Sequence, residues 1–228
     1  MKQEPYYFEI KDMLAQFVTA FDNIVIKRYN VNRKAEDRLS VRSVYSPKQR
    51  VLYDIVNTAQ TMTLPAVSIN IGGISRDNNR VFNKLDSTNY TQGSNLQSQG
   101  YKAPVPVNIA INMSIITRYQ TDMDQILSNF IPYTNPYIII AWKVPDAFNL
   151  PATQEIRCEV LWDGDVSIEY PVDLNGQQKP RVVADTTFTI KGWIFKEVTD
   201  AVDNIYYVDY NLAPENKITS FEELSAGY

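Results

Sequence analysis

Histidine is absent from the 228 residues of the chain. That removes the side chain that titrates nearest neutrality, the commonest general acid or base and the commonest metal ligand. Histidine-dependent hydrolases and zinc sites are therefore excluded, and any catalysis would have to rest on carboxylates, lysine or tyrosine. Cysteine occurs once, as Cys158, so no intramolecular disulfide can form and a reducing compartment is expected. Long apolar runs are missing too. The longest, YIIIAW at 137–142, falls far short of the roughly 20 residues that span a bilayer. The opening MKQEPYYFEI puts acidic and aromatic residues where the apolar part of a secretory leader would sit. A soluble intracellular product is the expectation, and the sequons at Asn89 and Asn112 then carry no weight.

What is abundant is tyrosine, at 15 residues beside 9 Phe and 3 Trp. Tyrosine suits a surface that a partner covers, because it offers apolar area, few rotamers to freeze and a hydroxyl that tolerates a wet rim. It equally suits the half-buried face of a β-rich core. The length fits one large domain, able to bury about 70% of its unfolded surface without staples. The net charge of −4 hides a gradient. Residues 1–50 carry ten Lys and Arg against six Asp and Glu, whereas residues 197–228 carry seven acidic residues against Lys217 alone. Such asymmetry points to head-to-tail attraction between copies, to two different partners, or simply to two solvated ends.

Ile10, Met13, Leu14, Phe17, Val18 and Phe21 recur at helical spacing, which predicts an amphipathic helix over 8–21. NIVIKRYN and RLSVRSVY are predicted to pair as a hairpin with VNRKAED at its tip. In SPKQRVLYDIVNTA, Ser46 is placed to cap a second helix and Pro47 to open it, with Val51, Leu52, Ile55 and Val56 as its stripe. LPAVSINIGGIS reads as a strand ending in a bulge or bend at Gly72-Gly73. Residues 75–103 are rich in Asn, Gln, Ser and Gly and predict a long excursion or mobile arm. From Val105 to Ile115 apolar residues hold the odd positions, the mark of a long strand with one face on a core, expected at the centre of its sheet. A third helix follows, with Thr121 and Asp124 at capping-box spacing. YIIIAWKVP, EIRCEVLWDG, DVSIEYPV and VADTTFTIKGWIF add strands. The expected class is α+β, an antiparallel β-sheet with helices packed on one side. Residues 1–199 form one domain with the 75–103 arm, and 200–228 form an acidic C-terminal extension.

The chemical motifs fail one by one. Asp122 and Asp124 spell D-x-D, but residues two apart on a helix point about 200° from each other and cannot grip one ion; at a helix start they answer the dipole. Asp163-Gly164-Asp165 lacks the glutamate an EF-hand needs, since Leu174 stands at its twelfth position, and reads as a hairpin turn. IGGIS lacks the Lys-Ser/Thr of a phosphate loop. No base is available to activate a serine, and Cys158 lies within a strand pattern. The basic hairpin of Lys27, Arg28, Arg33, Lys34, Arg38 and Arg42 could meet nucleic acid, but Glu36 and Asp37 interrupt it and the chain is acidic, so a solvated or protein-facing hairpin is favoured. No cofactor, no metal and no catalytic residue are expected, which leaves an interaction protein.

The order of segments carries more. A helix leading into NIVIKR, then SPKQRVLYDIVN, TLPAVSINIGGISRDNNRVFNK, INMSIITRYQTDMDQILSNFIPYTNP and TFTIKGWIF together resemble the tail sheath stabiliser, or tail completion, family of contractile-tailed phages related to T4. The resemblance spans about 8–196 and is most specific in SIITRYQTDMDQIL and the following IPY. Residues 136–152 and the tail after 197 do not match. The resemblance implies a virion protein assembled in the host cytoplasm, forming a hexameric ring at the tail–neck junction. Such a ring would cap the sheath and tube and contact the sheath protein, the tube or its terminator, and the neck or head-completion proteins. DNA would pass through its lumen without sequence-specific binding, and no membrane is involved. Arg118 and Tyr119 sit in the family pattern, and the interface candidates are Lys27, Arg28, Arg118, Tyr119, Trp193, Tyr206, Tyr207 and Tyr210. The competing readings are a tube terminator or head–tail connector, a surface- or carbohydrate-binding β-rich module, and a carboxylate nuclease for which no acidic pair is suitably spaced.

Overall fold

The computed structural model describes residues 6–29, 32, 34–57, 64–81, 87–91, 97–145, 155–170, 181–196 and 202–203. Its elements run α1 (Glu9–Phe21), β1 (Val25–Tyr29), β2 (Ala35–Ser40), β3 (Arg42–Tyr45), α2 (Lys48–Asn57), β4 (Ala66–Arg76), β5 (Ser87–Thr91), β6 (Gln97–Lys102), β7 (Val105–Thr117), α3 (Gln120–Phe130), β8 (Ile138–Lys143), β9 (Glu155–Glu169), β10 (Val182–Ile194) and β11 (Val202–Asp203). Short 3-10 turns follow β4 and α3. The main sheet has the order β3-β4-β7-β10-β9-β8, antiparallel except where β3 runs parallel to β4. Among the described residues no helix is long and apolar enough to cross a membrane.

The alternation along β7 does what its spacing predicts. Val107, Ile109, Ile111, Met113 and Ile115 are buried on one face, and β10 pairs with all 13 residues of the strand without a register shift. Onto that face α1 lays Met13, Leu14, Phe17 and Phe21, and α3 lays Met123, Ile126 and Phe130. Phe188 of β10 sits at the middle, with ring centroids 5.4 Å from Phe17, 5.3 Å from Phe21 and 6.4 Å from Phe130. Burying each such ring contributes on the order of 2 kcal/mol. Gly192 lets α1 approach β10, because a Cβ there would lie 2.5 Å from Met13 Sδ.

The α+β class stands, with α1 and α3 gathered on one face, but α2 lies on the other. Its Val51 packs with Ile116 and Val183, flanked by Leu52, Ile55 and Leu64. Ile116 is an even position of β7, so both faces of the strand are covered near its C-terminal end.

Several local expectations are corrected. The second arm of the predicted hairpin splits at Val41: β2 pairs with β1, whereas β3 pairs with β4. Val41 is buried and donates its N–H to Ile24 O at 2.9 Å, which fixes the crossing point. Ser46 does not cap α2, since its hydroxyl is buried without a partner; the Pro47 carbonyl opens the helix by accepting from Arg50 and Val51. β4 does not end at Gly72-Gly73 but absorbs a bulge there and continues to Arg76. Asp163-Gly164-Asp165 is no hairpin turn. It is a bulge inside the single strand β9, where these three residues face Thr187 alone and Gly164 takes φ 84°. Thr186 stabilises the bulge by donating to Asp165 O and accepting from Trp162 Nε1, both at 2.7 Å. The polar arm contains a hairpin, β5–β6, and β11 pairs with β6 to make a separate three-stranded sheet.

Candidate interaction site at the strand-to-helix corner

β7 ends at Thr117 and α3 begins at Gln120, so Arg118 and Tyr119 alone make the corner. Tyr119 is the N-cap residue in extended backbone, and no side chain caps the helix. The expected Thr121–Asp124 capping box is therefore absent. Thr121 is already inside α3, and Asp124 accepts instead from Gln120 Nε2 at 2.9 Å. The corner is held from below: Thr117 Oγ1 donates to Tyr119 O at 3.2 Å, and the same carbonyl accepts the Met123 N–H at 3.3 Å.

Lys27, Arg28, Arg118 and Tyr119 come together here. The Tyr119 ring is approached by two guanidinium groups, Arg28 Cζ at 5.7 Å and Arg118 Cζ at 5.5 Å from its centroid. Both fall inside cation–π range, worth about 0.5–1 kcal/mol each at an exposed site. Tyr119 remains 47% exposed. Two residues that sequence reasoning missed anchor β1 against α3. Gln125 Oε1 accepts the Lys27 N–H at 2.8 Å, and Asn129 Nδ2 donates to Val25 O at 3.4 Å. Four apart, they lie on one face of α3 and take the place of a neighbouring strand along the free edge of β1; that spacing was the available signal. Between the two elements lies a groove of about 610 Å³ lined by Lys27, Arg28, Tyr29, Tyr119, Thr121, Asp122, Asp124 and Gln125.

Asp122 and Asp124 point apart, as helical geometry requires. Asp122 is buried while Asp124 is exposed. Burial pushes the Asp122 carboxyl above its ordinary value, and Arg28, 3.9 Å away, pulls it back only in part.

Trp193 does not join this group. It pairs with Pro106 at the other end of β7. There the Arg80 guanidinium lies 5.1 Å from its ring centroid and donates to Asp77 Oδ2, Val107 O and Asn108 Oδ1. Nothing in the local sequence around Arg80 signals that role. Tyr206, Tyr207 and Tyr210 lie outside the described residues.

A second concavity of about 410 Å³ opens on the opposite face of the sheet beside Lys48, Asn112, Ser114 and Asp185. Lys48 Nζ donates to Asp185 Oδ2 and, at 3.2 Å, to Glu169 Oε2, and Ser114 Oγ donates to Asp185 Oδ1. Burial disfavours the charged lysine, but the two carboxylates outweigh it and raise its pKa. Lys48 bridges the two carboxylates, which leaves one negative charge in excess, and ties α2 to β9 and β10. Among the described residues no group of three metal-ligating side chains converges.

The fold and this corner define a class: a structural protein that acts through its surfaces. The family model of the tail sheath stabiliser of T4-like Myoviridae viruses matches residues 5–225, and the chain belongs to that family. It is 22% identical over 191 residues to the tail completion protein gp15 of Enterobacteria phage T4, an alignment covering 79% of this chain and 68% of the T4 protein. It is thus a structural component of a contractile phage tail and not an enzyme.

Proposed function

We propose that copies of this chain close into a homohexameric ring at the head-proximal end of the tail. The ring caps sheath and tube, joins them to the neck or head-completion proteins, and lets DNA pass through its lumen without reading it. Sheath protein on one side and tube or tube terminator within are its partners, and assembly takes place in the host cytoplasm.

The observation that carries this reading is the corner at Arg118 and Tyr119. An exposed tyrosine approached by two guanidinium groups combines the residue types that dominate interface energetics. Hydrogen bonds from Thr117 and Met123 hold the Tyr119 backbone carbonyl, which reduces the backbone ordering left for a partner to impose. A ring built from one such patch needs a different receiving patch on the next copy, a heterologous contact. The segment 200–228, rich in acidic residues, is read as an extension available for such a contact.

Negative-stain imaging of the purified protein, alone and added to tails, tests the proposal. Six-fold rings at the head-proximal tail end are expected. Particles whose collar carries the chain elsewhere, or tails decorated by single copies, would overturn it.

A further inference from the structure

The β1–β2 ribbon contains a pairing that works against its own stability. Lys27 and Arg38 are direct cross-strand partners, so their side chains share one face, and both are exposed. Like charges opposed in this way are destabilising. Arg28 and Arg118 add two more exposed cations around Tyr119. The nearby acidic groups are Glu36 and Asp37 of β2, the latter pairing with Arg28 on the other face, and Asp122 and Asp124 of α3. Among the described residues no carboxylate forms an ion pair with Lys27 or Arg38.

Negative charge is concentrated in the sequence that follows β11. β6 ends at Lys102, just before β7 begins at Val105, and β11 pairs with β6. The last described residue, Asp203, pairs with Gln97 at the end of β6 remote from Lys102, while the ribbon lies against α3, which follows the C-terminal end of β7. The 13 residues of β7 span about 40 Å at roughly 3.3 Å per residue. Residues 204–228 hold Asp209, Glu215, Glu222 and Glu223 against Lys217 alone, with tyrosines and Phe221 interspersed. Their contour reaches about 80 Å.

We infer that residues 204–228 of one copy dock on the Lys27–Arg38 face and the adjoining Tyr119 platform of the next copy. Acidic and aromatic residues meet lysine, arginine and tyrosine, and opposite charges carried by two different segments suit a head-to-tail contact between copies. The inference rests on the ring reading and gives it a receiving patch. A nucleic-acid duplex is the competing occupant of the same basic ribbon.

A labelled peptide of residues 204–228 is the probe. Full-length protein carrying Glu222→Lys and Glu223→Lys is the receptor, so that its own segment does not compete. Saturable binding is expected at low salt, weakening about tenfold or more as salt is raised and about tenfold or more when Lys27→Glu and Arg38→Glu are added. Lys27→Gln with Arg38→Gln weakens it less, and circular dichroism verifies that each variant folds. In sedimentation, either charge reversal alone reduces self-association, and both reversals in one chain restore it. Absence of peptide binding overturns the inference, as does binding that ignores the ribbon variants. Preference for a short DNA duplex over the peptide does so too, and so does restoration without any concentration dependence, which would mark a contact within one copy. Six-fold rings that form equally well in every charge variant sink this inference and leave the ring reading standing. Peptide binding that needs the ribbon, without rings on any tail, does the reverse.

Discussion

Glu9 Oε1 accepts the backbone N–H of Phe195 at 2.9 Å, joining the first turn of α1 to the residue that follows β10. The carboxylate is buried. It holds the beginning of the helix against the end of a central strand, 186 positions away in sequence.

A buried bond to a charged acceptor is worth about 1.5–3 kcal/mol, and its loss leaves an N–H unsatisfied. Glu9→Ala is expected to lower the melting temperature by roughly 3–10 °C on that scale. Glu9→Gln keeps an acceptor in place and should lose less than half as much. Thermal unfolding followed by circular dichroism decides it, and equal losses in the two variants would mean that the negative charge matters more than the acceptor.

Asp122 gives a pH dependence of the less common sign for a carboxylate. Burial raises its folded-state pKa above the ordinary 3.8, with Arg28 opposing. The folded chain therefore holds this proton more tightly than the unfolded chain does. Its stabilising contribution is complete below about pH 3.8 and disappears as pH rises through the raised value. Asp122→Asn should accordingly be more stable than the parent at pH 7, by about 1 kcal/mol or a few degrees of melting temperature. The advantage should vanish in acid. A variant less stable than the parent at pH 7 would show that the ion pair with Arg28 outweighs burial.

Where a segment's own periodicity decides its place, the sequence is enough. The stripe of α1 and the odd positions of β7 go where their spacing says. Illegible were features fixed by distant partners. Gly164 serves a bulge because Val166 and Trp162 keep pairing with β10 on either side of it, whereas D-G locally reads as a turn. The stripe of α2 was visible, but its place on the second face depends on Ile116 and Val183, more than 60 residues away in sequence. At the candidate site, Arg118 and Tyr119 came from the resemblance and Lys27 and Arg28 from charge. Their convergence depends on Gln125 and Asn129 holding β1 against α3, which no local pattern in β1 announces.

The Lys48–Asp185 pair ties α2 to the sheet and should be measurable as a coupling. Both groups are partly exposed, Asp185 more so than Lys48, so a double-mutant cycle with Lys48→Met and Asp185→Asn is expected to give about 1 kcal/mol rather than a buried-pair value. The lysine pKa is raised in the folded state. Its contribution is therefore complete below pH 10.5 and is lost as pH climbs through the raised value. A coupling unchanged in strong alkali would contradict the ion pair.

The corner residues carry the prediction about assembly. Arg118 and Tyr119 are exposed and contribute little to the core, so Arg118→Ala and Tyr119→Ala should fold and melt within about 1 kcal/mol of the parent. If they form the subunit contact, each should weaken ring formation by roughly 2 kcal/mol per interface, about thirtyfold, the scale of an interface hot spot. Tyr119→Phe keeps the face on which Arg28 and Arg118 rest and should assemble normally. Because the guanidinium charges are exposed and screened beyond about 8 Å at physiological ionic strength, assembly should also weaken as salt rises. Native mass spectrometry reads both effects at once. Intact hexamers of Arg118→Ala at the parent's concentration range would remove this corner from the interface, and assembly indifferent to salt would move the binding energy onto apolar and tyrosine contacts such as Tyr133, 78% exposed in the 3-10 turn after α3.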